Sequence, residues 1–113
     1  MSSLHEFKCV ACRGDVPALT AGEIENYLPE VPDWKLIEID GIPHLQRTLR
    51  FKNFAEALAF TQQVGAAAEE EDHHPAILTE WGKVTVTWWT HKIHGLHKND
   101  FIMAAKTDQL YHR

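Results

Sequence analysis

The sequence contains no cluster of basic residues and no long hydrophobic run. Its 11 Lys and Arg residues stand against 16 Asp and Glu residues, which gives a formal net charge of −5. Because nucleic-acid binding depends on basic side chains that neutralise phosphates, this balance argues against a general nucleic-acid binder. No apolar run reaches the roughly 20 residues that a membrane-spanning helix needs, and the N-terminus lacks the features of a signal peptide. We therefore expect a cytoplasmic protein that binds neither nucleic acid nor membrane.

Cysteine is also scarce, since the sequence has only Cys9 and Cys12, in a Cys-x-x-Cys motif. The motif is compatible with a redox pair, with half of a zinc site or with two incidental thiols. A thioredoxin-type pair belongs at the junction of a strand and a helix, whereas loop-like residues 13–17 follow it here. A closed zinc site needs four ligands, and His5 is the only further ligand nearby. An incidental or packing role is favoured, and the other two stay open.

The remaining composition is that of one ordinary globular domain. The chain has 113 residues, of which 44% are hydrophobic and 24% are charged. This length is sufficient to bury a core, yet small enough that self-association would help to stabilise it. We predict an N-terminal segment over residues 1–16, followed by a single domain over residues 17–113.

Capping and turn signals place a first helix and a first hairpin. Thr20 and Glu23 have capping-box spacing, so a short helix should begin there and end near Pro29. Residues 34–39 and 44–51 are then predicted as two strands, with a turn between them.

A long amphipathic helix should follow this hairpin. Asn53 is its expected N-cap, with Glu56 at the third helical position. The helix must stop near His73, because Pro75 disfavours helical geometry at the residue before it. The side chains predicted to face the core follow helical spacing: Phe54, Leu58, Thr61, Gly65 and Ala68, flanked by Ala57 and Val64.

A second hairpin and a last helix complete the chain. Residues 77–81 and 84–90 are predicted as strands separated by a tight turn, and the last helix should run from about residue 99 to residue 111. The element order is therefore α-β-β-α-β-β-α. Two hairpins and three helices predict an α+β fold, a four-stranded antiparallel sheet with the helices packed on one face.

The chemistry of the sequence is concentrated in a histidine cluster that begins at the end of the long helix. Glu69 and His73 are four residues apart, so their side chains can meet on one helical face. A carboxylate that accepts a hydrogen bond from one imidazole nitrogen orients the ring and raises its basicity. His74 should then leave the helix and project elsewhere, because Pro75 follows it.

Two further residues are expected to reach the same region from the second half of the chain. His91 follows the last predicted strand, and Asp100 lies at the start of the last helix. Asp100 can cap that helix or orient His91. Histidines around one pocket suit a reaction that needs an acid and a base on opposite sides of a substrate.

The residues alone leave three interpretations of this cluster open. His91, His94 and His97 are spaced by three and, with the His73–His74 pair, are compatible with a metal site. A histidine at a helix end is also often only a favourable cation beside the helix dipole. An acid-base site, a metal site and a structural role are equally compatible with the pattern. The remaining histidines are expected on the surface: His5, His44 and His112.

A resemblance to a known family separates these interpretations. The family is that of the pterin-4a-carbinolamine dehydratases, and the likeness extends from about Pro17 to the C-terminus. Its signature resembles the spaced pattern Glu69-x3-His73-His74-Pro75-x5-Trp81-x9-His91-x8-Asp100. The resemblance implies an α+β fold and a metal-free dehydratase without a cofactor, whose substrate is a pterin.

The reaction implied is the dehydration of a 4a-hydroxytetrahydropterin to quinonoid dihydropterin, a step that recycles pterin after aromatic amino acid hydroxylation. By position, His73 and His74 match the family's histidine pair, read as acids, and His91 matches its third histidine, read as the base. Glu69 would orient a catalytic histidine, and Asp100 would support the side of the site that holds His91. The positions that match the family's pterin-lining residues are Asp72, Pro75 and Thr90.

The chain departs from the family pattern at two positions. Many relatives carry Ser or Thr at the cap of the last helix where this sequence has His97, so we predict that the cap shifts toward Asn99. Trp89 is a bulky residue next to Thr90 and is expected to narrow the pocket or stack within it.

A role of a different class is the second hypothesis. Family members also act as binding partners, including as a dimerisation cofactor for a transcription factor, so an assembly or regulatory protein is the alternative. The face that carries Thr85, Thr87 and Trp89 is a candidate oligomer interface. We predict a homodimer or a dimer of dimers, and a zinc protein is the third hypothesis.

Overall fold

The computed structural model describes residues 4–10 and 16–112, and its elements follow the predicted order. The three α-helices are α1, Ala21–Tyr27; α2, Phe54–Glu71; and α3, Lys98–Tyr111. The four strands are β1, Lys35–Ile39; β2, Ile42–Arg50; β3, Ala76–Glu80; and β4, Lys83–Trp88. Single 3-10 turns occupy Leu4–Glu6, Leu28–Glu30 and His91–Ile93. The α+β prediction is confirmed.

The four strands form one antiparallel sheet in the order β1-β2-β4-β3. Asp40 and Gly41 join β1 to β2, and both have positive φ angles, 53° and 77°. A two-residue turn of this kind matches the twist of the strands it connects. Because β4 lies between β2 and β3, the residues that follow it leave from the middle of the sheet.

One face of the sheet carries the hydrophobic core. Helices α2 and α3 both pack on the strands, and α1 reaches α3 through Tyr27, which stacks on Phe101 with ring centroids 5.1 Å apart. Alternation along a strand sends every second side chain toward the helices. The buried apolar strand residues are Leu45, Leu49, Val84, Val86 and Trp88.

The face of α2 that packs on the core agrees only in part with the prediction, which is confirmed for Ala57, Val64 and Ala68. Phe54 and Leu58 are 44% and 42% exposed, so their predicted place in the core is wrong. The buried residues of the helix are Ala57, Phe60, Val64 and Ala68. The helix is rotated relative to the prediction because Phe60 packs against the rings of Phe51 and Tyr111, at centroid distances of 5.0 and 5.9 Å.

The predicted caps of the first two helices are present. The Thr20 hydroxyl accepts a hydrogen bond from the Glu23 N–H, and the Glu23 carboxylate accepts one from the Thr20 N–H. Asn53 caps α2 by accepting from the Glu56 N–H at 2.9 Å. These bonds satisfy N–H groups that the first turn of a helix leaves free. Among the described residues, no helix is both long and apolar enough to cross a membrane.

Candidate active site

The end of α2 turns the chain so that His73 enters the protein. Asp72 adopts the left-handed conformation, with φ 51° and ψ 43°, immediately after the last helical residue. The His73 N–H then bonds back to the Ala68 carbonyl at 3.1 Å, which is the backbone pattern of a helix terminated by a left-handed residue. As a result His73 is only 7% exposed.

A fully buried carboxylate, Asp100, receives this histidine. One oxygen of Asp100 lies 2.7 Å from His73 Nε2, and the other accepts from the Thr90 hydroxyl at 2.7 Å and from the His97 N–H at 2.9 Å. A carboxylate can only accept hydrogen bonds, so Nε2 of His73 carries the proton. The second ring nitrogen, Nδ1, is then unprotonated in the neutral ring and is able to accept a hydrogen bond.

Packing fixes the plane of the His73 ring as well as its hydrogen bond. The ring stacks on the buried indole of Trp88, with centroids 5.8 Å apart and an interplanar angle of 10°. The indole N–H of Trp88 donates to the Thr107 hydroxyl at 3.2 Å, which holds that ring in turn. His73 is therefore held both by a charged partner and by a flat apolar surface.

His74 lies on the opposite, solvent side of the same turn. Its Nε2 lies 3.0 Å from Glu69 Oε1, and the two side chains are 52% and 80% exposed. The predicted pairing of Glu69 with His73 is therefore wrong. Because α2 ends at Glu71 and Asp72 is left-handed, His73 turns into the protein toward Asp100, and His74 instead meets Glu69. An exposed pair of this kind contributes little to stability, but it restricts where the His74 ring points.

His91 belongs to an aromatic group on the other side of the cleft. Its ring contacts Trp89 at a centroid distance of 4.3 Å, and Trp89 contacts His44 at 4.4 Å. His44 is 3% exposed and its Nδ1 lies 2.7 Å from the Ile42 carbonyl, so the prediction that it is a surface residue is wrong. Asp100 makes no bond to His91 itself: it bonds His73 and the hydroxyl of Thr90, the residue before His91, and it caps α3, which is one of the two roles expected of it.

These groups surround an open cleft of about 510 Å³, a size that suits a small molecule. It is lined by residues 70–74 at the end of α2, by residues 89–92 after β4 and by residues 8–10 of the N-terminal segment. The predicted site residues Asp72, His73, His74, Thr90 and His91 all lie on its surface.

The other predicted site residues lie outside the cleft surface. Asp100 lies behind His73, Glu69 holds His74 from outside, and Pro75 directs the chain into β3. Among residues 4–10 and 16–112, no group of three or more His, Cys, Asp or Glu side chains is arranged to hold a metal ion. Cys9 is a free thiol, and Cys12 lies outside the described residues.

Comparison with known proteins gives the family. The sequence model of "Pterin 4 alpha carbinolamine dehydratase" matches residues 17–110. The chain belongs to this family. A relative from Nitrosococcus oceani is 62% identical over 110 residues, which cover 97% of each chain, and one from Marinobacter nauticus is 60% identical over 98% of this chain and 100% of its own. Both carry the name "Putative pterin-4-alpha-carbinolamine dehydratase".

Two solved structures share the fold of the pterin carbinolamine dehydratase family. A "transcriptional coactivator/pterin dehydratase" from Brucella melitensis is 32% identical with a TM-score of 0.75, over 83% of this chain and 98% of its own. A pterin dehydratase-like protein described as a RuBisCO assembly factor in the alpha-carboxysome is 24% identical with a TM-score of 0.59, over 70% of this chain and 89% of its own. The second likeness shows the fold alone.

The cap of α3 in this member of the dehydratase family is a histidine. His97 is the N-cap residue, and its Nδ1 accepts from the Asn99 N–H at 3.0 Å, so the predicted shift of the cap to Asn99 is wrong. Burial lowers the pKa of His97, opposed by the charge of Asp100 and reinforced by His73. A neutral imidazole is what the cap requires, because a protonated Nδ1 cannot accept a hydrogen bond.

Asn99 and the N-terminal segment are the parts of the site that the sequence did not predict. Asn99 is 2% exposed and bonds the backbone of Val10, and residues 8–10 line the cleft. No periodicity or motif in the sequence indicates this contact, because the two residues are 89 positions apart.

Proposed function

We propose that this protein dehydrates a 4a-hydroxytetrahydropterin to quinonoid dihydropterin and water by histidine acid-base catalysis. Such a step recycles the pterin after a hydroxylation reaction. The observation that carries the proposal is the oriented pair of His73 and buried Asp100 in a cleft that also presents His74 and His91. Family membership supports the same chemistry.

The reaction itself requires two proton transfers and no change in oxidation state. The bond between C4a and the hydroxyl oxygen breaks, the oxygen takes up a proton and leaves as water, and the ring nitrogen N5 loses its proton as the C4a–N5 double bond forms. Electrons and atoms balance without a redox partner. The proposal therefore assigns no cofactor and no metal, and the pterin is the substrate.

The surroundings of His73 suit it to supply the proton for the leaving hydroxyl. Its Nε2–H is held by Asp100, and a carboxylate in that position stabilises the imidazolium that forms when Nδ1 is protonated. His74, held by Glu69, is the second candidate donor, and His91 across the cleft is the proposed base for the N5 proton. An acid and a base on opposite walls are what a dehydration needs.

The three residues predicted to line the substrate take different parts in this proposal. Asp72 lies on the cleft surface beside the histidine pair and is available to contact a pterin. The Thr90 hydroxyl is engaged with Asp100, so Thr90 supports the carboxylate as well as lining the cleft. Pro75 acts on the backbone, since it fixes the direction in which the chain leaves His74.

A direct assay tests the proposal. Purified protein is mixed with a freshly generated 4a-hydroxytetrahydropterin, and the loss of the carbinolamine is followed by ultraviolet absorbance. We expect His73→Ala and His91→Ala each to lower turnover by roughly 10²-fold or more, a usual acid-base contribution. His112→Ala is the control, because His112 is exposed at the end of α3 and should retain full turnover.

Two outcomes would contradict the proposal. Full turnover in both His73→Ala and His91→Ala would remove the acid-base assignment while leaving the activity in place. If the wild-type protein fails to accelerate loss of the carbinolamine, the dehydratase function itself is wrong and a binding role becomes the leading hypothesis.

A protein-binding role is the second candidate, and exposed apolar side chains favour it. Leu36 and Ile39 on β1 are each 45% exposed, Leu78 on β3 is 58% exposed, and Trp81 in the following turn is 72% exposed. These residues lie on and beside β1 and β3, the two edge strands of the sheet, and an exposed apolar edge strand is a place where another chain can pair. We infer self-association into a homodimer or a dimer of dimers, and light scattering at micromolar concentration tests it, since a monomer there would contradict the inference.

A further inference from the structure

A segment before the domain, residues 4–10, lies against α3 and reaches the cleft. We call these residues the N-terminal strap. Leu4 at its beginning is 5% exposed and belongs to the hydrophobic core. Lys106 of α3 donates a hydrogen bond from Nζ to the His5 carbonyl at 3.0 Å. The beginning of the strap is thus anchored by Leu4 and Lys106, neither of which lines the cleft.

The near end of the strap is held by the side chain of Asn99. Its Oδ1 accepts from the Val10 N–H at 3.1 Å, and its Nδ2 donates to the Val10 carbonyl at 2.7 Å. A primary amide can satisfy a backbone N–H and C=O together, as a neighbouring strand would. Glu71 adds a third bond, because its Oε1 accepts from the Cys9 N–H at 2.7 Å.

Both holding residues lie next to the acid-base pair. Glu71 precedes His73 by two positions at the end of α2, and Asn99 immediately precedes Asp100 on α3. Residues 8–10 consequently line the same cleft as the histidines. Without the strap, the cleft would keep only the walls formed by residues 70–74 and 89–92.

The Cys9 thiol lies in the wall formed by the strap and adds an uncharged surface to the cleft. Burial, reinforced by the charge of Glu71, raises the pKa of Cys9 to about 12. The side chain therefore stays a neutral thiol at physiological pH, and a neutral thiol behaves as a small apolar group.

We propose that residues 8–10 of the N-terminal strap form a substrate-binding wall of the pterin cleft, with Asn99 and Glu71 as their positioning residues and Leu4 as an anchor outside the cleft. This rests on the proposed function and adds to it a part of the chain that precedes residue 17, where the match to the family model begins. The strap carries none of the proposed acid-base groups, so its release weakens pterin binding and leaves the chemical step intact. It acts on KM, whereas the histidines act on kcat.

The test releases the strap from a distance. Leu4→Ala removes core contacts at the anchored end, and Leu4→Met is the control of similar volume. Hydrogen exchange of the Cys9 and Val10 amides reports docking directly, because both amides are bonded to side chains of the folded domain. We expect Leu4→Ala to exchange both amides faster than Leu4→Met does.

The kinetic readout accompanies this measurement. Because apparent affinity falls with the fraction of molecules that are competent to bind, KM for the carbinolamine should rise roughly tenfold in Leu4→Ala while kcat stays within about twofold. The dissociation constant of a non-reacting 7,8-dihydropterin should rise by the same factor. Leu4→Met should match the wild type in both quantities.

A second pair of variants serves if Leu4→Ala does not fold. Glu71→Leu removes the acceptor for the Cys9 N–H, whereas Glu71→Gln loses the same charge but keeps an acceptor oxygen. The strap proposal predicts a larger KM in Glu71→Leu than in Glu71→Gln, together with faster exchange of the Cys9 amide.

Each failure has its own signature. Faster exchange of the Cys9 and Val10 amides with unchanged KM overturns the strap proposal and leaves the dehydratase function standing. A fall in kcat with unchanged KM also overturns it. A wild-type protein that neither turns over the carbinolamine nor binds the dihydropterin overturns the proposed function, and the role of the strap with it.

Discussion

Asp100→Asn is the substitution that most directly tests how the site is built. The carboxylate is completely buried and accepts hydrogen bonds from His73, Thr90 and the His97 backbone. Asparagine has nearly the same shape but only one acceptor oxygen, and its amide group donates. If the oxygen keeps Thr90 and His97, the amide faces Nε2 of His73, which must then accept and give up its proton.

The expected loss of stability follows from these three bonds. A hydrogen bond to a charged group contributes about 1.5–3 kcal/mol and a neutral one about 0.5–1.5 kcal/mol, so weakening three of them costs roughly 3 kcal/mol. Relief of the desolvation of a buried carboxylate offsets part of this loss. We expect the free energy of unfolding to fall by about 2 kcal/mol, measured by urea denaturation with tryptophan fluorescence.

The expected loss of activity is larger than the loss of stability would suggest. With Nε2 deprotonated, the proton of His73 moves to Nδ1, and Asp100 no longer stabilises an imidazolium. Turnover should fall by roughly 10²-fold or more at a temperature where the variant is fully folded. Wild-type turnover in Asp100→Asn would refute the view that this carboxylate determines which nitrogen of His73 carries the proton.

Asp108→Asn provides the matched control on the same helix. Asp108 accepts from the Trp34 indole N–H and from Arg47, and neither residue lines the cleft with the histidines. This variant should also lose stability but should keep wild-type turnover. Equal losses of turnover in the two variants would mean that the effect reports destabilisation of the helix instead of the state of His73.

Three further predictions concern residues around the cleft. His97→Ser should change the pH dependence of stability. Because the pKa of His97 is lowered in the folded protein, the wild type has stability that is present above the ordinary histidine pKa of 6.5 and is lost as the pH falls through the folded-state pKa. Serine also caps helices but does not titrate, so the variant should lack this dependence. If the free energies of unfolding of the two proteins differ by the same amount at every pH from 8 to 5, the prediction is wrong. In a Cys12→Ser background, a pKa of about 12 leaves Cys9 with roughly 10³-fold less thiolate at pH 8 than a cysteine peptide, and the greater nucleophilicity of a more basic thiolate offsets part of this. Cys9 should therefore react with iodoacetamide roughly 10²-fold more slowly than the peptide; a peptide-like rate would show that the thiol is not held in the folded protein. Trp89→Leu should lower kcat by roughly tenfold through loss of the ring beside His91, whereas Trp89→Phe should keep most of it, and equal values for the two variants would rule out an aromatic contact as the cause.

The order of elements was predictable because its signals are local. The capping box of Thr20 and Glu23 and the N-cap at Asn53 each depend on residues three positions apart, and both are present. The turn at Asp40 and Gly41 needs only two residues that tolerate positive φ. Interactions between residues two or three positions apart can be predicted from the local sequence.

The orientation of α2 was less accessible. Both Phe54 and Phe60 are large apolar residues on an alanine-rich helix, and periodicity alone does not say which of them faces the sheet. The choice depends on the rings of Phe51 and Tyr111, which come from another strand end and another helix. A contact between distant segments decided the rotation of the helix.

Within the site, the identity of the cluster was predictable and its pairings were not. The assumption that Glu69 meets His73 holds only while the helix continues through residue 73, and the left-handed Asp72 ends it before that point. Asp can adopt this conformation with little strain, but nothing in the neighbouring residues requires it. The catalytic and substrate-contacting roles of the eight proposed residues remain predictions for the assays above.

The N-terminal strap also has a consequence for the order in which parts of the protein fold. Val10 is synthesised early, but its partner Asn99 is 89 residues further along the chain, and Lys106, which holds His5, is later still. Closing a loop of this length is a late and entropically costly event in folding. β4, the strand between β2 and β3, ends at Trp88, so the sheet too is completed only by the last part of the chain, and the cleft gains its third wall once α3 is in place. A chain truncated before residue 99 should therefore lack the bonds that hold Val10 and His5, and its N-terminal strap should stay undocked.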